Sequence, residues 1–169
     1  LEFDDSMPEE IYDEIISNIL IILPAGGQGL RLRDITGPNV NKNAVLVNDS
    51  VTVIERVVLM YRNAGIKNFL VLVYFGADSV KDVLGDGSHL GVNIKYSYDP
   101  GHAVGRGGAI LNALISGVLP SDVYGICHNP VDQIIDHPFF VKEIIKKHWH
   151  ATQSGALASI VVVKETPYP

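Results

Sequence analysis

Ile21-Ile22-Leu23-Pro24-Ala25-Gly26-Gly27-Gln28-Gly29-Leu30-Arg31-Leu32 is an apolar run that breaks into three glycines within four residues and then reaches an arginine. The continuous apolar part, from Ile19 to Leu23, has the pattern of a strand covered on both faces, as in a parallel sheet. The glycines permit a tight turn, and without a Cβ they let a ligand approach backbone N–H groups. A buried strand opening into such a turn is one way to offer those groups to phosphate. Arg31 adds a planar charge suited to phosphate oxygens. The spacing is neither the dinucleotide fingerprint nor the Walker loop, since no Gly-Lys-Ser/Thr follows. A tight turn after a strand is the plainer reading of the same residues.

Working outward, strands and helices alternate. Glu9 to Ser17 reads as a short amphipathic helix within a lead-in of residues 1–17, outside the main domain of residues 18–169. Gly26 to Asn43 is a long polar loop, and long loops in compact domains are often functional. Thr52-Val53-Ile54-Glu55 is a capping box that opens a helix ending at Gly65. Phe69 to Tyr74 reads as a second buried strand. Asp78 or Ser79 is expected to cap a helix ending before Gly85. Val92 to Tyr98 alternates as a strand, Gly105 to Gly117 is helical in pattern, and Val123 to Cys127 is a short strand. Asp136 is expected to cap a helix with Pro138 in its first turn, running to about His150. Ala156 to Val163 reads as a final strand. This alternation predicts parallel βαβ units and a three-layer α/β/α sandwich with a mostly parallel, Rossmann-like sheet. Ligands in such sheets sit beyond the carboxyl ends of the strands. The loops at Gly26 and Gly105 and the residue Asp132 each follow a predicted strand, so all three are expected at that one edge. Glycines and an arginine on one side and a carboxylate on the other suit a triphosphate with Mg2+, which takes one or two carboxylates plus phosphate oxygens.

The 169 residues fit one domain, and 47% hydrophobic with 19% charged residues is a globular composition. A net charge of -6 argues against a nucleic-acid surface. No apolar stretch approaches a membrane span of roughly 20 residues, and the acidic start is unlike a signal peptide, so a cytoplasmic protein is the default expectation. The single cysteine, Cys127, excludes an internal disulfide and reads as a small buried thiol.

Four segments taken in order resemble the sugar-1-phosphate nucleotidylyltransferases, the nucleotidyltransferase family that makes nucleotide sugars. They are the Gly26 loop, Asn41-Lys42-Asn43-Ala44-Val45-Leu46-Val47, Val104-Gly105-Arg106-Gly107-Gly108-Ala109, and Asn129-Pro130-Val131-Asp132. The family carries G-G-x-G-T-R-L, then P-K-x-L, then G-T-A-G-A, then N-G-D at a strand end. Leu30 stands where the family has Thr, Asn41 replaces its Pro, Arg106-Gly107 replaces Thr-Ala, and Asn-Gly-Asp is one residue longer. The resemblance implies Mg2+-dependent transfer of a nucleotidyl group from a nucleoside triphosphate to a sugar-1-phosphate, with loss of pyrophosphate. It implies that Gly26, Gly27, Gly29 and Arg31 hold the leaving phosphates, that Ala25 takes part in binding the nucleotide and that Lys42 neutralises the phosphates. It implies that Gly107, Gly108 and Asp99 lie against the nucleotide and that Asp132 holds the metal. The family's second metal aspartate and its sugar-phosphate lysine lie further along than residue 169. The chain therefore resembles the nucleotide-binding half, with an uncovered last strand that invites oligomerisation.

Each residue has a plainer reading beside it. Arg31 is either a phosphate ligand or a solvated arginine, and Lys42 is either a ligand or a solvated lysine between asparagines. Gly107 and Gly108 either face a ligand or relieve crowding where a helix begins. Asp132 is either a metal ligand or the head of a local turn beside Pro130. The histidines give no zinc pattern, and no nucleophile elbow supports hydrolysis. The rival to an enzyme is a diverged module that holds a nucleotide or nucleotide sugar for regulation, and behind it an unrelated doubly wound domain.

Overall fold

A computed structural model describes residues 7–48, 50–120, 123, 125–131, 135, 137 and 139–162. Helix α1 (Glu9–Asn18) runs directly into strand β1 (Ile19–Pro24), and its Ile15 is buried in the main core. The Gly-rich turn follows, then a 3-10 turn at Leu30–Leu32, the short helix α2 (Arg33–Thr36) and a second 3-10 turn at Lys42–Ala44. After these come α3 (Val53–Asn63), β2 (Asn68–Val73), α4 (Ala77–Leu84) and β3 (Asn93–Tyr98). The chain continues through α5 (Gly105–Ile115), β4 (Gly125–His128) and α6 (Phe140–Gln153).

The described strands form one parallel sheet in the order β3-β2-β1-β4. Alternation along β1 splits its side chains between two cores. Ile21 and Leu23 pack with Phe69, Val71 and Val73 under α1, α3, α4 and α6. Leu20 and Ile22 pack with Leu70 and Leu72 under α5 through Ala109 and Ala113. Helices on both faces make the expected three layers. Complete burial of Ile21, Ile22 and Leu23 stabilises the central strand by about 1.5–3 kcal/mol per side chain, which is why its sequence shows no polar alternation.

The Thr52 capping box forms as read. Glu55 N–H donates to Thr52 Oγ1 at 3.3 Å, and Thr52 N–H donates to Glu55 Oε2 at 2.8 Å. Helix α4 differs from expectation. Neither Asp78 nor Ser79 caps it, because Gly76 enters from the left-handed region and the Ser79 hydroxyl donates to the Gly76 carbonyl at 2.6 Å. The larger correction is the predicted last strand. Residues 156–162 form no strand, and Leu157 and Ile160 stand 98% and 86% exposed. An apolar run becomes a strand only beside a partner edge, and no described strand lies beside it. Asp136 and Pro138 lie outside the described residues, and α6 begins after Phe139. No described helix is long and apolar enough to cross a membrane.

Candidate functional site

Strand β1 connects to β2 on one side, while its other neighbour, β4, arrives only after β3 and α5. The chain thus reverses direction across the sheet between β1 and β4, and the carboxyl ends of the strands at such a reversal open a crevice. A cavity of about 220 Å3 lies there. Its wall takes Pro24, Gly26 and Gly27 from the end of β1, and Lys42 and Asn43 from the second 3-10 turn. Asp99 comes from the end of β3, Gly105 and Arg106 from the start of α5, and Pro130 and Val131 from beyond β4.

The glycines of the first loop serve three different ends. A Cβ on Gly26 would lie 3.2 Å from Tyr74 Cβ, so this residue lets β1 turn against the end of β2. Gly29 has φ +59 and heads the 3-10 turn, and a Cβ there would lie 3.2 Å from Lys42 Cβ. Gly27 is different: among the described residues a Cβ there would meet no atom within 4 Å, and the residue lines the cavity. No described neighbour demands a glycine at 27, whereas a ligand at the backbone would. Ala25 serves as scaffold. Its N–H donates to the Leu72 carbonyl at 2.7 Å, and its carbonyl accepts from Asn41 Nδ2 at 2.6 Å.

Lys42 reaches the wall, but Arg31 does not. Arg31 is exposed on the first 3-10 turn and is not among the cavity-lining residues. The arginine in the wall is Arg106, where the family resemblance has Thr. Its charge, after burial as the larger cause, holds the His128 imidazole below its usual pKa. Gly107 is exposed beside open space and off the wall. Gly108 is also off the wall, and a Cβ on it would lie 2.8 Å from Val104 Cβ, so it relieves crowding at the helix start.

Two buried amides near this edge have an unpartnered atom among the described residues. Asn43 is 2% exposed with Oδ1 unpaired, and Asn129 has Nδ2 unpaired while its N–H donates to the Ile22 carbonyl at 3.1 Å. Buried polar groups ordinarily find partners, so these two amides mark polar capacity left unused close to the cavity wall. Asp99 brings a carboxylate to the wall. Asp132 lies outside the described residues, although Val131 before it lines the cavity. Among the described residues no three His, Cys, Asp or Glu side chains cluster as a metal cage. Cys127 carries no site: burial raises its thiol pKa, and its Sγ lies 3.4 Å from the Tyr61 hydroxyl.

Sequence reading passed over Arg106, Asn43 and Asn41. The first was visible as a charge interrupting a glycine-rich helix start. The asparagines were visible only as polar neighbours of Lys42.

The fold and the crevice define a doubly wound α/β domain with a Gly-rich loop at its switch point. A family model described as nucleotidyl transferase matches residues 19–168, and the chain belongs to that family. No curated protein matches the chain. Among solved structures it is similar to a Bacillus anthracis protein designated a glucose-1-phosphate thymidylyltransferase and solved with a sucrose. The TM-score is 0.62 at 24% identity, over 75% of this chain and 50% of that one. The chain thus aligns with half the length of that neighbour, and at this identity the likeness concerns the fold.

Proposed function

We propose that this chain binds a nucleoside triphosphate in the switch-point cavity and serves transfer of its nucleotidyl group to a sugar-1-phosphate or similar phosphorylated acceptor, releasing pyrophosphate. The observation that carries this reading is the gathering of bare Gly27 backbone, Lys42, Arg106 and Asp99 around one cavity in a chain of the nucleotidyl transferase family. An acceptor phosphate is already anionic, so the reaction needs no general base. Its rate would come from alignment and from neutralising charge on the leaving phosphates. Lys42 and Arg106 approach from different elements and would contribute that charge, while Gly27 admits phosphate oxygens to the backbone. Asp132, with Asp99 in the wall, would hold Mg2+, which would supply positive charge to offset that of the phosphates.

A binding module without turnover is the second reading. The exposed position of Arg31 and the replacement of the family's Thr by Leu30, itself 63% exposed, favour it. The test is pyrophosphate release by the chain with each common nucleoside triphosphate and a panel of sugar-1-phosphates, with triphosphate binding measured alongside. Release with a particular pair supports the enzyme. Saturable binding without release supports the module. Absence of triphosphate binding overturns both.

A further inference from the structure

Asn41 is fully buried, and its polar groups are all used. Its side-chain Nδ2 donates to the Ala25 carbonyl at 2.6 Å and to the Phe75 carbonyl at 2.7 Å. Its Oδ1 accepts from Asn43 N–H at 3.0 Å, and its own N–H donates to Ser79 Oγ at 3.0 Å. One side chain therefore joins the mouth of the Gly-rich loop, the exit of β2 and the turn that carries Lys42 and Asn43. The neighbouring backbone is fitted to it: a Cβ on Gly76 would lie 2.6 Å from Asn41 N. Proline, the residue the resemblance has here, offers none of these donors.

We propose that Asn41 is a positioning residue for the phosphate-binding wall. It fixes the 3-10 turn at Lys42–Ala44 against Ala25, so that Lys42 lies across Gly29 and the Asn43 side chain enters the cavity wall. Two donors on one planar amide hold carbonyls from just beyond β1 and just beyond β2 at a set separation, which no single-donor side chain reproduces. The replacement at 41 thus substitutes one device for another instead of dismantling the site. This inference rests on the cavity being a phosphate site.

The test is a double-mutant cycle of Asn41→Ala and Lys42→Met, read as the dissociation constant for Mg-free tripolyphosphate at a temperature where every variant is folded. Asn41→Ala is expected to weaken binding roughly tenfold in the parent and to have little further effect once Lys42 is Met, because the asparagine acts through the lysine. Equal losses in both backgrounds would mean a general structural role and overturn the proposal. Amide hydrogen exchange without ligand gives a second readout. Faster exchange of Asn43 N–H in Asn41→Ala, with core strand amides unchanged, supports the proposal, and unchanged protection at Asn43 overturns it. If the parent binds no tripolyphosphate, the functional reading fails and this role for Asn41 fails with it. Exchange at Asn43 then distinguishes that outcome from failure of the latch alone.

Discussion

Two cavities of nearly equal size, about 220 and 200 Å3, lie at opposite ends of the same strands. The second, at the amino edge, takes Ser17, Asn18, Asn68, Asn93 and Lys95 into its wall. There the asparagines satisfy the protein. Asn93 Nδ2 donates to Asn68 Oδ1 at 3.2 Å, and Asn68 Nδ2 donates to the Ser17 carbonyl at 3.3 Å. At the carboxyl edge, among the described residues, Asn43 Oδ1 has no partner and Gly27 has open space beside it, and cations enter from two different elements. Volume does not separate these two hollows. The separation lies in polar capacity left unused and in the loops that strand ends make available.

The largest effect is expected from closing the open space at the carboxyl edge. Gly27→Val places a branched side chain where no described atom competes for room, so the melting temperature should change little. Triphosphate affinity should fall by roughly 100-fold, about 2.7 kcal/mol. Asn68→Ala at the amino edge should leave affinity unaltered and lower stability by about 0.5–1.5 kcal/mol. Calorimetric titration of both variants checks the contrast. Equal affinities for Gly27→Val and the parent would reduce the loop to a turn.

Next in size is Asp132→Asn, which removes charge without changing shape. If this aspartate holds the metal, Mg2+ should cease to improve triphosphate binding while stability stays near that of the parent. Titrations with and without Mg2+ decide it. A persisting Mg2+ effect would move the metal to Asp99, the described carboxylate of the wall.

Arg106→Gln sharpens the comparison further. Loss of one charge-assisted contact should weaken triphosphate binding about tenfold. The loss should shrink as salt rises, since a partly exposed cation is screened. Arg31→Gln, on an exposed turn off the wall, is the matched control and should change little. The reverse ranking would restore Arg31 as the phosphate ligand and imply that the first loop closes over its ligand.

The central architecture was legible because it follows from near-neighbour pattern. The unbroken apolar runs of β1 and β2 and the Thr52–Glu55 box are local signals with one physical solution each. The meeting of the Gly26 and Gly105 loops was legible through strand direction alone. What escaped depends on partners distant in sequence. Gly27 and Gly108 look alike as letters, yet one borders a cavity and the other relieves a clash with Val104. Arg31 and Arg106 both follow glycine-rich turns, and only the path of the chain decides which faces inward. Asn41 braces carbonyls 16 and 34 residues away, and no spacing rule announces that. The run 156–162 has strand composition but finds no described strand to pair with.

The smallest expected effect concerns pH. Partial loss of hydration at the otherwise exposed ring, and then the Arg106 charge, lower the His128 pKa in the folded protein, so the unfolded chain binds its proton more readily. Stability from this group is therefore complete above the unfolded value near 6.5 and declines as pH falls through it towards the lower folded value. The amino-edge wall has no matching cation pair, since Lys95 is its one Lys, Arg or His among the described residues. Bound tripolyphosphate should weaken the effect, because its negative charge beside Arg106 offsets the second of the two causes. Melting temperatures measured from pH 8 to pH 5 should fall more steeply for the parent than for His128→Gln, and the difference should shrink when tripolyphosphate is present. A ligand-independent difference would place the phosphates away from Arg106. Parallel curves without ligand would show that His128 does not sense that charge.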